Sequence, residues 1–403
     1  MSLAEAMLLE DIQQRLFAPS RSATPHAIGL ELELIPITRS TRRPALPALD
    51  SDPSTGSILM ELGRRSGWTE QRNGDDPSSW RARTGAVISF EPGGQIEIST
   101  APFATAAAAI GEAEDVVEVL REAMEDEGIE LVARGVDPYN DIDVVPLQLH
   151  RGRYTAMTRY FESIGPSGVR MMRQTAALQI NLERGENPTS RWGLLNALAP
   201  IVVALFANSR EYASRRTDWA SYRSYLWRSL DPSRTGIVYN PDDAAQRYLN
   251  FALDAGYMRG ELAAGGYSSF RDRLGDAQLT RDDWLFHLST LFPEVRPKEF
   301  FELRSADTIE VASLAAPVVF VAGLCYSERH SRHAAEILGA PNETLLERAG
   351  RAGVADPEIR DLATELASVA LEGASTLAGG YFRDGDLDAT RKYFARALAA
   401  RDI

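Results

Sequence analysis

In Ile28-Gly29-Leu30-Glu31-Leu32-Glu33-Leu34 apolar residues recur at every second position, the period of a strand with one face in a core. Leu30, Leu32 and Leu34 then point one way, and Glu31 and Glu33 the other. The same rule turns Ile96 and Ile98 inward in Gln95–Ser99 and leaves Gln95, Glu97 and Ser99 opposite. In Leu178–Leu182 it separates Leu178, Ile180 and Leu182 from Gln179 and Asn181. Within Phe301–Arg304 it puts Glu302 and Arg304 on one face. Strands are predicted over Ala27–Ile37, Val87–Phe90, Gln95–Ser99, Leu131–Arg134, Ala176–Glu183 and Phe300–Arg304.

A period near 3.6 predicts helices over Leu3–Phe17, Thr105–Glu127, Arg153–Glu162, Arg191–Ala207, Ala244–Ala255, Arg281–Leu291, Glu310–Ile337, Pro357–Leu371 and Ala389–Ala400. The stretch Thr38–Gly85, rich in Ser, Pro, Arg and Gly, reads as a solvent-exposed excursion between the first two core strands. One-sided strands form an antiparallel sheet with helices on one face and water or ligand on the other. The fold class is therefore α+β. No repeat of fixed period is visible. The chain reads as a single domain over 1–403, with chemistry-bearing motifs at 27–325 and a helical C-terminal part over 326–403.

Composition removes several function classes. A formal net charge of −14 repels phosphate backbones and anionic lipid surfaces, which argues against nucleic-acid and membrane partners. The first residues, Met1-Ser2-Leu3-Ala4-Glu5-Ala6, have no basic n-region and predict no signal peptide. The longest apolar stretch, Val311–Leu324, contains Ser313 and Pro317 and falls short of the ~20 residues that span a bilayer. Cys325 is the single cysteine, so no intrachain disulfide and no multi-thiolate zinc site can form. These features predict a cytoplasmic protein.

The polar strand faces carry Glu31, Glu33, Glu97 and Glu302 with short amides and no Lys. If these faces lie apart, each glutamate is simply solvated. If they lie together, the carboxylates repel one another unless cations hold them, and the set suits hard divalent ions. Pro92-Gly93-Gly94 reads either as a plain turn or as a close approach of backbone to ligand. Arg153, Arg223, Arg234 and Arg304 read either as forks for carboxylate or phosphate or as ordinary surface arginines paired with neighbouring carboxylates. Arg223 and Trp227 lie four apart on a predicted helix and share a face, where Trp227 flanks a substrate or packs in the core. His330 and His333 read as a solvated helix end, and His287 as capping or packing. There is no G-x-x-x-x-G-K-[ST] loop and no strand-borne G-x-G-x-x-G.

The segments IGLELEL (Ile28–Leu34), FEPGGQIEIST (Phe90–Thr100), RGRYTAM (Arg151–Met157), MMRQTAALQINLE (Met171–Glu183), ALFANS (Ala204–Ser209), SYRSYLWRSLDPSRTG (Ser221–Gly236) and HLSTLFPEVRPKEFFELRSAD (His287–Asp307) are similar, in this order, to the glutamate–cysteine ligase family. The resemblance is to its plant and proteobacterial type, including the actinobacterial relatives of ergothioneine synthesis. It implies a curved, mainly antiparallel sheet wrapped by helices, like glutamine synthetase. It also implies ATP as co-substrate, two or three Mg²⁺ ions, and L-glutamate and L-cysteine joined through a γ-glutamyl phosphate.

Carried onto this sequence, the resemblance implies Glu31, Glu33, Glu91, Glu97 and Glu302 as the metal set. It implies Arg223 and Arg304 as catalytic residues, with Arg151, Arg153, Gln179, Asn181, Trp227 and Arg234 binding substrate or ATP. Two departures stand out: Gln174 occupies the position of a common Arg, and Arg151 that of a common Lys. The first leaves the amine acceptor open. A ligase with another acceptor, or an inactive relative that binds glutamate or nucleotide, are the alternatives. The sequence leaves open whether the product feeds glutathione or ergothioneine, and whether the chain is a monomer or a homodimer.

Overall fold

The computed structural model describes residues 3–20, 26–240, 242–260 and 266–399. Nine strands build one sheet: β1 (Ile28–Thr38), β2 (Thr69–Asn73), β3 (Asp76–Arg81), β4 (Val87–Phe90), β5 (Ile96–Ser99), β6 (Ile129–Val132), β7 (Ala177–Leu182), β8 (Val295–Pro297) and β9 (Phe301–Asp307). Their order is β8-β9-β7-β1-β5-β4-β3-β2, with β6 on the second half of β1. The pairings are antiparallel. This is the α+β class that the strand alternation predicts.

Register then decides which side chains meet. Leu32 pairs with Ile98 on one side and Leu178 on the other, and Leu303 pairs with Ile180. These residues are buried on the face covered by the helices Ala106–Asp126 and Pro188–Leu205. On the opposite face Glu33 pairs with Glu97, Glu31 with Gln179, and Glu302 with Asn181. The polar faces therefore lie together, and the reading with separately solvated glutamates is excluded. Three shorter helices, Gly152–Ile164, Pro166–Gln174 and Tyr222–Leu230, supply side chains that face this polar side.

The stretch 38–85 is not a solvent-exposed excursion. It holds a helix, Thr55–Ser66, capped by the Ser54 side chain on Ser57 N–H and closed by Gly67 in the left-handed region. It then adds β2 and β3 to the sheet through the Trp80–Ile88 pair. Leu59 and Trp80 are buried, and Gly63 lets the Trp80 ring lie against the helix, since a Cβ there would stand 2.6 Å from it.

The predicted helix Glu310–Ile337 is also revised. A short 3-10 turn, Val311–Ser313, leads into Ala315–Tyr326, and after Ser327 a second helix, Glu328–Leu338, departs with a 99° bend. The first helix is apolar all round and buried along its whole length. The second is amphipathic, so it lies at the surface. Among the described residues no single helix is long and apolar enough to cross a membrane. The last predicted helix is observed over Asp386–Ala399; Ala400 lies outside the described residues.

Candidate active site

A cavity of about 280 Å³ opens over the polar face of the sheet. Glu31 and Glu33 from β1, Glu97 from β5 and Glu91 from the end of the β4 region line it. Arg153, Arg223, Arg296, Lys298 and Arg304 line the same cavity. Trp227 and Phe292 stand beside them, and Pro92, Tyr154, Met157, Met171 and Met172 form an apolar wall.

Three of these glutamates, Glu33, Glu91 and Glu97, resist ionisation. Burial pushes the Glu97 carboxyl up to about 8, and Glu31 and Glu33 push in the same direction. Glu91 is raised well above the ordinary range, first by burial and then by Glu97 and Glu33, against the pull of Arg153. Glu33 is raised by burial, with Arg223 opposing; it accepts from Ala177 N–H at 2.7 Å and from Gln179 at 3.2 Å. Carboxylates that resist ionisation in this way become ionised when a cation binds among them.

Glu302 stands in a different field. Its carboxylate is fully buried, and burial alone would raise its pKa. Arg296, Arg304 and Lys298 instead hold it well below the usual carboxylate range. Arg296 donates to it at 2.6 Å, and Arg304 and Lys298 both bond to it directly. Lys298 also lies 3.9 Å from Glu31. Arg304 reaches on to Gln179 Oε1 at 2.8 Å, which fixes it against the strand that carries the amides. Asn181 donates to Glu31 at 2.9 Å, outside the cavity lining, so its contribution is to orient that carboxylate.

On the helix Tyr222–Leu230, Arg223 donates to the Arg304 carbonyl at 2.8 Å. Trp227 lies under the guanidinium groups of both Arg223 and Arg304, at 5.7 and 5.1 Å from its ring centre. Arg153 is half-buried and donates to Ser289 O at 2.9 Å. Its pKa is lowered by burial, and Glu91 counters that. The Nε atoms of Arg153 and Arg223 and the Trp227 indole N–H are buried without a partner. Such donors beside a cavity are open to a ligand or an ordered water.

Several predicted residues stand elsewhere. Arg234 is fully buried away from the cavity, bonded to Asp231 at 2.6 Å, Thr290 O at 3.0 Å and Gly256 O at 2.6 Å. Its charge closes a loop core, so it is no anion clamp. Arg151 pairs with Asp76 at 3.0 Å outside the cavity lining, at the start of the helix Gly152–Ile164. Gln174, buried, donates to Asn140 O and accepts from Tyr212. It does not line the cavity.

Gly93 approaches protein rather than ligand: a Cβ there would stand 1.9 Å from the Arg173 carbonyl. His287 packs in the core, its Nε2 2.6 Å from Ala252 O, and His330 is buried beside Ser327.

Sequence reasoning missed Arg296 and Lys298, and with them the statement that no Lys reaches this face fails. A signal was present. Arg296 sits opposite Glu302 in the β8–β9 register, which alternation in Val295-Arg296-Pro297 allows one to draw. The apolar wall of Tyr154, Met157, Met171 and Met172 lies on helices, where the 3.6 period marks burial but not which cavity is reached.

An antiparallel sheet thus gathers glutamates on one face, beside arginines from a hairpin and short helices. Residues 27–400 match the model of glutamate-cysteine ligase family 2, and the chain belongs to that family. It is 31% identical over 347 residues to the chloroplastic glutamate–cysteine ligase of Nicotiana tabacum, covering 81% of this chain and 64% of that one. With glutamate–cysteine ligase EgtA of Mycolicibacterium smegmatis the identity is 32% over 318 residues, 73% of this chain and 74% of the relative. The chain thus spans about 64% of the length of the tobacco relative. The crystal structure of glutamate–cysteine ligase from Francisella tularensis in complex with AMP shares the fold, with a TM-score of 0.55 at 13% identity over 95% of this chain and 83% of that one.

Proposed function

We propose that the protein is an ATP- and Mg²⁺-dependent ligase that joins the γ-carboxylate of L-glutamate to the amine of L-cysteine through a γ-glutamyl phosphate. The observation that carries this reading is one cavity lined by both Glu31, Glu33, Glu91 and Glu97 and by Arg153, Arg223, Arg296, Lys298 and Arg304. A carboxylate is a poor acyl donor and needs phosphorylation, which brings two anions together. Arginines can hold both without a covalent enzyme intermediate.

The donor set fits a hard divalent cation, because it offers oxygen ligands that burial and mutual repulsion leave short of positive charge. Among the described residues no three acidic, His or Cys groups are already drawn together as a metal cluster. Glu31, Glu33, Glu91 and Glu97 would hold the ion, which when bound supplies charge neutralisation for phosphate oxygens. Glu302 joins them only by releasing Lys298, whose side chain is 35% exposed.

Arg304, Arg223 and Arg153 bind the carboxylate and phosphate groups, and Gln179 keeps Arg304 aimed at the cavity. Tyr154, whose pKa is raised to about 12 by burial and then Glu91, stays a neutral donor at working pH. The thioethers of Met157, Met171 and Met172 suit a small soft side chain, which favours cysteine over a charged acceptor.

Phosphate release with MgATP and L-glutamate, adding L-cysteine or other amino acids and amines one at a time, tests the reading. Cysteine-dependent release with γ-glutamylcysteine as product is the expected result. Another product would move the acceptor, and no release from folded protein with any acceptor would overturn the activity.

A further inference from the structure

Asp307 ends β9, three residues after Arg304, and never reaches the cavity lining. Its side chain is fully buried. Oδ2 accepts from Asn208 N–H at 2.8 Å and from Ser209 Oγ at 2.7 Å, and Oδ1 from Ser221 Oγ at 2.9 Å. Arg223 Nη1 lies 3.9 Å from Oδ1. Burial pushes the carboxyl up, and Arg223 and the three hydrogen bonds oppose it. The fit is close: a Cβ on Gly135 would stand 2.4 Å from Asp307 Cγ.

Both serines that donate to Asp307 also accept from the first turn of the helix Tyr222–Leu230. Ser209 Oγ takes Arg223 N–H at 3.1 Å, and Ser221 Oγ, the helix cap, takes Ser224 N–H at 3.1 Å. One carboxylate therefore governs the start of the helix, where negative charge is favoured, and faces the guanidinium that the helix sends into the cavity. Arg223 donates to the Arg304 carbonyl and stands in the field of two buried carboxylates, Asp307 and Glu33.

We infer that Asp307 is a positioning residue, which sets the placement of Arg223 and so the affinity of the cavity for anionic substrate without touching that substrate. This rests on the reading of Arg223 as an anion-binding group. A bridge in which both hydroxyls donate to the carboxylate and accept from the helix transmits position well, because each hydroxyl has both of its roles filled.

The test is a double-mutant cycle in the full chain with Asp307→Asn, Arg223→Met and both together. Steady-state phosphate release is measured with L-glutamate varied and L-cysteine saturating. Asp307→Asn is expected to lower kcat/KM about 10-fold or more, chiefly through KM, in the native background. In the Arg223→Met background it should change kcat/KM by less than about 2-fold. Equal losses in the two backgrounds would show a scaffold residue only and overturn the inference.

If the native chain shows no turnover, the proposed function fails, and the same cycle is read from unfolding midpoints of ligand-free protein. Strong non-additivity there supports the Asp307–Arg223 coupling, and additivity refutes it. Should Asp307→Asn fail to fold, Ser209→Ala, which removes one bridging hydroxyl, takes its place in the cycle.

Discussion

Glu97 and Glu302 share a sheet face, but burial with Glu31 and Glu33 raises the first carboxyl to about 8, and three cations hold the second low. Their removal should therefore have different effects on the metal-free fold. Glu97→Gln replaces a carboxyl already held neutral by burial and its neighbours and is expected to keep the unfolding midpoint at neutral pH and raise it above about pH 8. Glu302→Gln leaves Arg296, Arg304 and Lys298 without their shared anion, and is expected to cost on the order of 3–5 kcal/mol. Both should lose turnover, about 10²-fold or more. Thermal unfolding in EDTA beside phosphate-release assays checks both signs; equal shifts would show that charge compensation does not divide the site. Arg234→Gln belongs to the same scale. It breaks a buried pair with Asp231 and should lower stability, with KM for L-glutamate unchanged in the folded fraction.

At the scale of elements, the turn after β4 is locked to the end of the helix Pro166–Gln174. Gly93 N–H bonds Gln95 Oε1 at 2.9 Å, Gln95 bonds Thr175 O at 2.8 Å, and no side chain fits at Gly93 against Arg173. Gly93→Ala is expected to cost about 1–3 kcal/mol and to displace Glu91, lowering activity more than Glu91 burial alone predicts. Calorimetry with activity measured below the midpoint tests it, and an active, fully stable variant would contradict the packing described. Strands β1, β5 and β7 were legible because their alternation is strict and one face is in the core. The β2–β3 hairpin was not, since Thr69–Asn73 is exposed at four of five positions and offers no period of two. Arg234 was misread for a related reason: an arginine in a short segment looks the same whether its partner is a ligand or Asp231. Which helical side chains face a shared cavity depends on how distant helices dock, and no local pattern carries that.

Over the whole molecule, the buried acids set the pH response. Folded Glu97 keeps its proton up to about pH 8, whereas the unfolded chain releases it near 4.5. The folded state binds more protons in that window, so metal-free stability should fall as pH rises through it. His287 acts in the opposite sense. Burial lowers its pKa to about 3, so its contribution is present above about 6.5 and is lost as pH falls below that. Unfolding midpoints from pH 5 to 8.5 should therefore decline most steeply above 6.5 in EDTA. Mg²⁺ or Glu97→Gln should flatten the decline; an unchanged slope with either would refute a cation-deficient cavity.

The central claim, that the cavity phosphorylates the glutamate γ-carboxylate before amide formation, is tested most directly by isotope transfer. With L-glutamate labelled by ¹⁸O in the γ-carboxylate, the phosphate released during turnover with MgATP and L-cysteine is analysed by mass. One ¹⁸O atom per phosphate is expected. Unlabelled phosphate formed together with γ-glutamylcysteine would contradict it.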